Sequence, residues 1–115
     1  MDLRQLATEI ESISSQYAER LGIERDDAWF LLKLQEELGE LTQAFLMRTG
    51  RARTKGRTPE ELEIDFRAEL ADVLCHVILM AHHHGVDLET EVARKWLAWK
   101  PKDAVSEQEG LGSAG

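Results

Sequence analysis

Cysteine is nearly absent from this chain: of 115 residues only Cys75 carries a thiol. No disulfide can form within it, and a lone thiol fits a reducing cytosol. Cys75 lies in an apolar helical run and reads as a core thiol, not a nucleophile. Long hydrophobic runs are also missing. No uncharged apolar stretch approaches the roughly 20 residues that cross a bilayer, so a membrane span is excluded. Met1-Asp2-Leu3-Arg4 lacks the basic region and apolar run of a secretory signal, and the expected location is cytoplasmic. There is no repeat and no period-two alternation, so strands are not expected. Basic residues are in deficit: the net charge is −8, which argues against a nucleic-acid binder, since that needs a basic face.

What is present is helical. Hydrophobic residues make up 43% of the chain, enough to fold as one domain near the size at which oligomerisation helps. A first helix is predicted over about 2–21, with Leu3, Leu6, Ile10, Ile13, Tyr17 and Leu21 at spacings of three and four, ended by Gly22. A second begins near Asp26 and Asp27 and runs to about Arg48 on a stripe of Leu31, Leu34, Leu38, Leu41 and Phe45. Thr58-Pro59-Glu60-Glu61 supplies a cap, a first-turn proline and a capping-box glutamate. That third helix is predicted over 59–84 with Leu62, Phe66, Leu70, Val73, Val77 and Met80 as its core stripe and Gly85 as its C-cap. Asp87 caps a short fourth helix that ends before Pro101. The expected architecture is an all-α four-helix bundle over 1–102 with a flexible tail over 103–115. The apolar second and third helices are hard to cover within one subunit, so a homodimer or homotetramer is expected to complete the core.

Two acidic pairs of identical spacing carry the chemistry: Glu37-Leu38-Gly39-Glu40 and Glu69-Leu70-Ala71-Asp72. Residues three apart project from one side of a helix, and both pairs border an apolar stripe. Packed antiparallel, the two helices would gather four carboxylates in one small volume, where like charges repel and raise one another's pKa. A divalent cation removes that cost. Four hard oxygen donors suit Mg²⁺, with Mn²⁺ as a substitute. Di-iron bundles add a Glu-x-x-His motif; here Glu40 and Asp72 stand in the second places, and only His76 offers a nitrogen. The bland alternative is a row of solvated surface carboxylates.

At these residues the chain resembles the MazG-like, all-α nucleoside triphosphate pyrophosphohydrolases, whose motif is an EExxE block followed after a spacer by an ExxD block. Here the blocks are Glu36-Glu37-Leu38-Gly39-Glu40 and Glu69-Leu70-Ala71-Asp72, with 28 residues between Glu40 and Glu69. The similarity covers roughly 26–100. It implies that Glu37, Glu40, Glu69 and Asp72 bind Mg²⁺, that Glu36 orients or deprotonates water, and that a (deoxy)nucleoside triphosphate is cleaved to the monophosphate and pyrophosphate, a reaction suited to house-cleaning of the nucleotide pool. Phosphoribosyl-ATP pyrophosphohydrolase of histidine biosynthesis, a relative within that superfamily, has a histidine at the place of His76 and is the alternative enzyme. A helical interaction protein with an acidic docking face is the non-catalytic one. The resemblance also implies phosphate contacts near the end of the domain. Lys95 fits the family's lysine, whereas Trp99 stands where relatives carry Asn, and Lys100 or Lys102 would replace their Arg.

Lesser features fill out the expectation. Arg48, Arg51, Arg53, Lys55 and Arg57 surround one loop, read either as a solvated connection or as a lid over the triphosphate. Lys33, four before Glu37, is placed for a helix ion pair or a phosphate contact. His82-His83-His84 is not expected to be a metal tract, because consecutive helical residues point in three directions. Trp29, Trp96 and Trp99 are expected to pack between subunits or to stack on a base.

Overall fold

The computed structural model of the protein describes residues 1–101; the predicted tail over 103–115, and Lys102, lie outside the described residues. Four α-helices follow in order, α1 (Leu3–Leu21), α2 (Asp27–Arg48), α3 (Pro59–His83) and α4 (Leu88–Lys95), then a 3-10 turn at Leu97–Trp99. Among the described residues there is no strand, so the protein is all-α. No helix among them is long and apolar enough to cross a membrane.

Each start has a local cause. Asp2, Asp26, Thr58 and Asp87 are N-caps whose side chains accept from the backbone N–H three residues on, and Asp2 and Thr58 complete capping boxes with Gln5 and Glu61. Each cap is worth about 1 kcal/mol. The ends of α1 and α3 use left-handed glycines. Gly22 has φ 67°, and Ile23 N–H reaches back to Ala18 O at 2.8 Å. Gly85 has φ 68°, one residue beyond the C-cap His84, and Val86 N–H bonds Ala81 O at 2.8 Å. These are paired-hydrogen-bond helix terminations in which a Cβ would strain the turn.

Helices α2 and α3 form an antiparallel hairpin. Side-chain pairs descend α2 as they climb α3: Phe45 with Phe66 at 6.1 Å between ring centroids, Glu37 with His76 at 3.5 Å, and Asp27 with His83 at 2.7 Å. Arg48 closes the loop end, its Nε donating to Glu63 at 2.7 Å while its guanidinium covers the Phe66 ring. Helix α1 packs against the C-terminal part of α3. Arg25, in the α1–α2 turn, ties the two sequence neighbours together by a two-pronged bond to Glu11 at 2.6 and 3.0 Å, plus one to Ser14.

The core is thin. Ala18, Phe30, Ala44, Leu62, Ile78, Leu79 and Ala81 are the buried apolar residues. Only part of each predicted stripe is covered: Leu62 is buried and Leu34, Leu41, Phe66, Val73, Val77 and Met80 are half-buried, but Leu31, Leu38, Phe45, Leu70, Ile13, Tyr17 and Leu21 are exposed. A hairpin with one further helix against it covers one side of each stripe and leaves the other open. Leu31, Leu38 and Phe45 recur every seven residues along the open side of α2.

Candidate metal centre

Midway along the hairpin, Glu37 and Glu40 on α2 meet Glu69 on α3. One carboxylate oxygen from each of the three lies within 4.8 Å of the others. The i, i+3 spacing puts Glu37 and Glu40 on one face of α2, and the antiparallel register brings Glu69 opposite them. Burial is graded across the cluster: Glu37 is only 8% exposed, Glu69 is half-buried, and Glu40 is open to solvent. Asp72 is exposed at the edge of this group. Its oxygens are not within the three-residue cluster, yet its charge acts on Glu37, Glu69 and His76.

The electrostatics are those of crowded carboxylates. The carboxyl of Glu40 at hydrogen-bonding reach, then desolvation and the charges of Glu40 and Asp72, favour the protonated form of Glu37 and raise its pKa from 4.5 to about 7. Burial, then the charges of Asp72 and Glu40, push Glu69 up as well. One oxygen of Glu37 and one of Glu69 are buried without any hydrogen-bond partner, as is Nδ1 of His76. Buried polar atoms are nearly always satisfied in folded proteins, and an orphan carboxylate oxygen costs about 1–3 kcal/mol or more. Two such carboxylate oxygens within one cluster point to a missing electropositive partner. A hard divalent cation is such a partner for carboxylate oxygens, and the residues present fit it.

The other sequence candidates fall around this centre. His76 places Nε2 3.5 Å from Glu37, and burial holds its pKa below the ordinary value, which keeps the imidazole neutral. Lys33 donates to Glu36 at 3.2 Å and is held protonated by Glu36, Glu37 and Glu40 against the cost of its burial. Glu36 is therefore outside the cluster, 57% exposed and bound to Lys33. Lys95 is exposed on the last turn of α4 and makes no ion pair with any of the four carboxylates. The cations around the loop divide. Arg48 and Arg57 are bound to α3, Arg57 gripping Asp65 at 2.7 and 3.0 Å, while Arg51, Arg53 and Lys55 are exposed. Burial raises the Cys75 thiol above its usual range, so it stays protonated. A groove of about 360 Å³ between α1 and the end of α3, lined by Leu3, Ala7, Ile78 and Val86, has none of Glu37, Glu40, Glu69 and Asp72 in its lining.

Two features escape the sequence patterns. Arg25–Glu11 joins positions with no motif spacing. Asp27 and His83 pair across 56 positions of sequence, a contact that only the hairpin register reveals. Compared with protein-family models, curated proteins and solved structures, the chain finds no match.

Proposed function

We propose that the protein is a Mg²⁺-dependent nucleotide pyrophosphohydrolase of the MazG-like type, cleaving a (deoxy)nucleoside triphosphate to the monophosphate and pyrophosphate. The observation that carries this reading is the convergence of Glu37, Glu40 and Glu69 with two buried, unpartnered carboxylate oxygens. Glu37, Glu40, Glu69 and Asp72 would hold Mg²⁺, or Mn²⁺ in its place. When bound there, the cation supplies the positive charge that lets carboxylates and a polyphosphate share one acidic site, and makes water easier to deprotonate.

The chain's own residues do the rest. Glu36 keeps one carboxylate oxygen toward solvent while Lys33 holds the other, an arrangement suited to orienting a water and accepting its proton. Lys33, half-buried beside the cluster, supplies fixed positive charge near the phosphates. Neutral His76 offers a ring N–H to a phosphate oxygen or a lone pair to the cation. Lys95, exposed on the last turn of α4, would add a phosphate contact from outside the cluster. Such chemistry needs positioning and charge neutralisation more than covalent help. The exposed apolar stripes on α1, α2 and α3 support a homodimer or homotetramer, and the single thiol suits a cytoplasmic enzyme.

The place of His76 against Glu37 favours one second reading, hydrolysis of phosphoribosyl-ATP, whose enzyme carries a histidine at the corresponding place. A panel of nucleoside triphosphates and phosphoribosyl-ATP, incubated with Mg²⁺ and followed by pyrophosphate release, tests both. Turnover of triphosphates that disappears in Glu69→Gln is expected. Turnover confined to phosphoribosyl-ATP would favour the second reading. No turnover, together with no thermal shift on adding Mg²⁺, would overturn both and leave a helical interaction protein.

A further inference from the structure

The histidines at the end of α3 do not behave as consecutive helical residues. His83 is the last helical residue and His84 is its C-cap, with φ −93° and ψ 4°. Leaving the helix turns His84 back toward its neighbour, and the two rings meet edge to face at 4.9 Å. Asp27, at the start of α2, completes the group. One ring nitrogen of each histidine and one oxygen of Asp27 lie within 4.8 Å of one another. His82 is separate from them and lines the groove between α1 and α3.

We propose that Asp27, His83 and His84 form a binding site for a borderline divalent transition metal, Zn²⁺ in the first instance, that clasps the first turn of α2 to the end of α3. The donor set is two imidazoles and a carboxylate, which ranks Zn²⁺ and its neighbours above Mg²⁺. The ligands are in part preorganised. The His83 ring is stacked on Phe30 at 4.3 Å and 22°, and Phe30 itself is only 2% exposed, so the ring that carries Nε2 is held in place. Zinc–nitrogen bonds of about 2.0–2.1 Å set ligand atoms of a tetrahedral site about 3.3 Å apart. His83 Nε2 and Asp27 Oδ1, now 2.7 Å apart, need to separate by only about half an ångström to reach that spacing. Asp27 can yield that distance by rotating, because its side chain is 82% exposed. All three residues face solvent, which leaves a fourth position for water.

The site is distinct from the acidic cluster. Asp27 precedes Glu37 by ten residues on α2, about 15 Å by helical rise. Its occupant would fix the hairpin at the end opposite the loop of 49–58, and its existence does not rest on the pyrophosphohydrolase reading.

The test is calorimetric titration of the metal-stripped full chain with Zn²⁺ in saturating Mg²⁺, with Co²⁺ absorption as a report of nitrogen coordination. One Zn²⁺ per chain is expected, at least tenfold weaker in His84→Gln and in Asp27→Asn, and unchanged in His82→Gln and in Glu69→Gln. Circular dichroism checks that the variants, all at exposed or half-buried positions, keep their helices. Three results would overturn the proposal: no saturable Zn²⁺ binding, binding that vanishes in Glu69→Gln because the ion sits among the carboxylates, or equal weakening by His82→Gln, which would mark undirected chelation by the histidine run.

Discussion

Replacing Glu37 by glutamine should stabilise the metal-free protein at alkaline pH while abolishing its response to Mg²⁺. In the folded chain the Glu37 pKa moves from 4.5 to about 7, whereas in the unfolded chain it returns to the ordinary value. Below the unfolded value both states hold the proton and Glu37 contributes no pH dependence. As pH rises toward the folded value, the unfolded chain gives up its proton first and stability falls. Above the folded value both states are ionised, and the folded state bears the full cost of a buried carboxylate beside Glu40. At about 1.4 kcal/mol per pH unit, the move amounts to about 3 kcal/mol, a large share of the stability of a domain this size.

Glutamine keeps the shape of the protonated acid and can donate a hydrogen bond toward Glu40 as that acid would. The difference in stability between Glu37→Gln and wild type should therefore grow by up to about 3 kcal/mol in the variant's favour from mildly acidic to about pH 8.5. Urea unfolding in chelator at several pH values measures it directly, and thermal melts should separate by about 10 °C at the alkaline end. Adding Mg²⁺ should raise the melting point of the wild type and flatten its pH dependence, because a cation takes the place of the proton. The variant should respond weakly. Equal stability of the two proteins at alkaline pH, or equal stabilisation of both by Mg²⁺, would refute the reasoning.

Three other perturbations bear on separate parts of the structure. Asp72→Asn should leave far-UV circular dichroism unchanged yet lower pyrophosphate release by more than the roughly 10–100-fold that loss of an outer-sphere partner costs; undiminished turnover would remove Asp72 from the site. Arg25→Ala should cost about 2 kcal/mol in urea unfolding, since it strips a two-pronged ion pair only 16% and 26% exposed and leaves Glu11 without a partner. Arg25→Lys should recover less than half of that, because an ammonium cannot reproduce the fork. Sedimentation at micromolar concentration should show an assembled species, and Leu31→Glu, on the exposed seven-residue stripe of α2, should shift it toward monomer; a wild type monomeric at all concentrations would remove the assembly expectation.

The helices were legible from sequence because their signals are local. Asp26, Thr58-Pro59-Glu60-Glu61 and Asp87 lie where caps are required, and α2 and α3 begin and end within a residue or so of the predicted positions. The acidic centre was legible because i, i+3 spacing and antiparallel pairing together put Glu37, Glu40 and Glu69 on facing sides. What could not be read is set by tertiary geometry. About half of the α1 and α2 stripes is exposed, and Leu70 on α3 with them, because only one further helix packs on the hairpin, which periodicity does not report. Helical geometry predicts a divergent histidine run, but at His84 the helix has already ended. Glu36 and Asp65 share a helix side with the cluster in sequence, and their neutralisation by Lys33 and Arg57 depends on where long basic side chains find room.

The distribution of counter-charges makes the strongest case that the acidic centre is functional. A chain with net charge −8 cannot pair every carboxylate, so those left unpaired ought to be the most exposed, where water solvates them at least cost. Among the described residues around α2 and α3, exposed Glu40 and Asp72 follow that rule, and Glu37 and Glu69 break it. Glu61, Glu63 and Asp65, half-buried with side chains 46%, 37% and 36% exposed, each have an arginine, and the more open Glu36 has Lys33. Glu37 and Glu69 have no Lys or Arg partner, and beside its fellow carboxylates Glu37 meets an imidazole that burial keeps neutral. A fold selected for stability alone would exchange these assignments, or replace Glu37 with an apolar residue of similar size, at a gain of several kcal/mol. Retaining the costly arrangement is what a cation site requires: carboxylates kept free of protein cations, in a place dry enough for an arriving metal to be worth more than water.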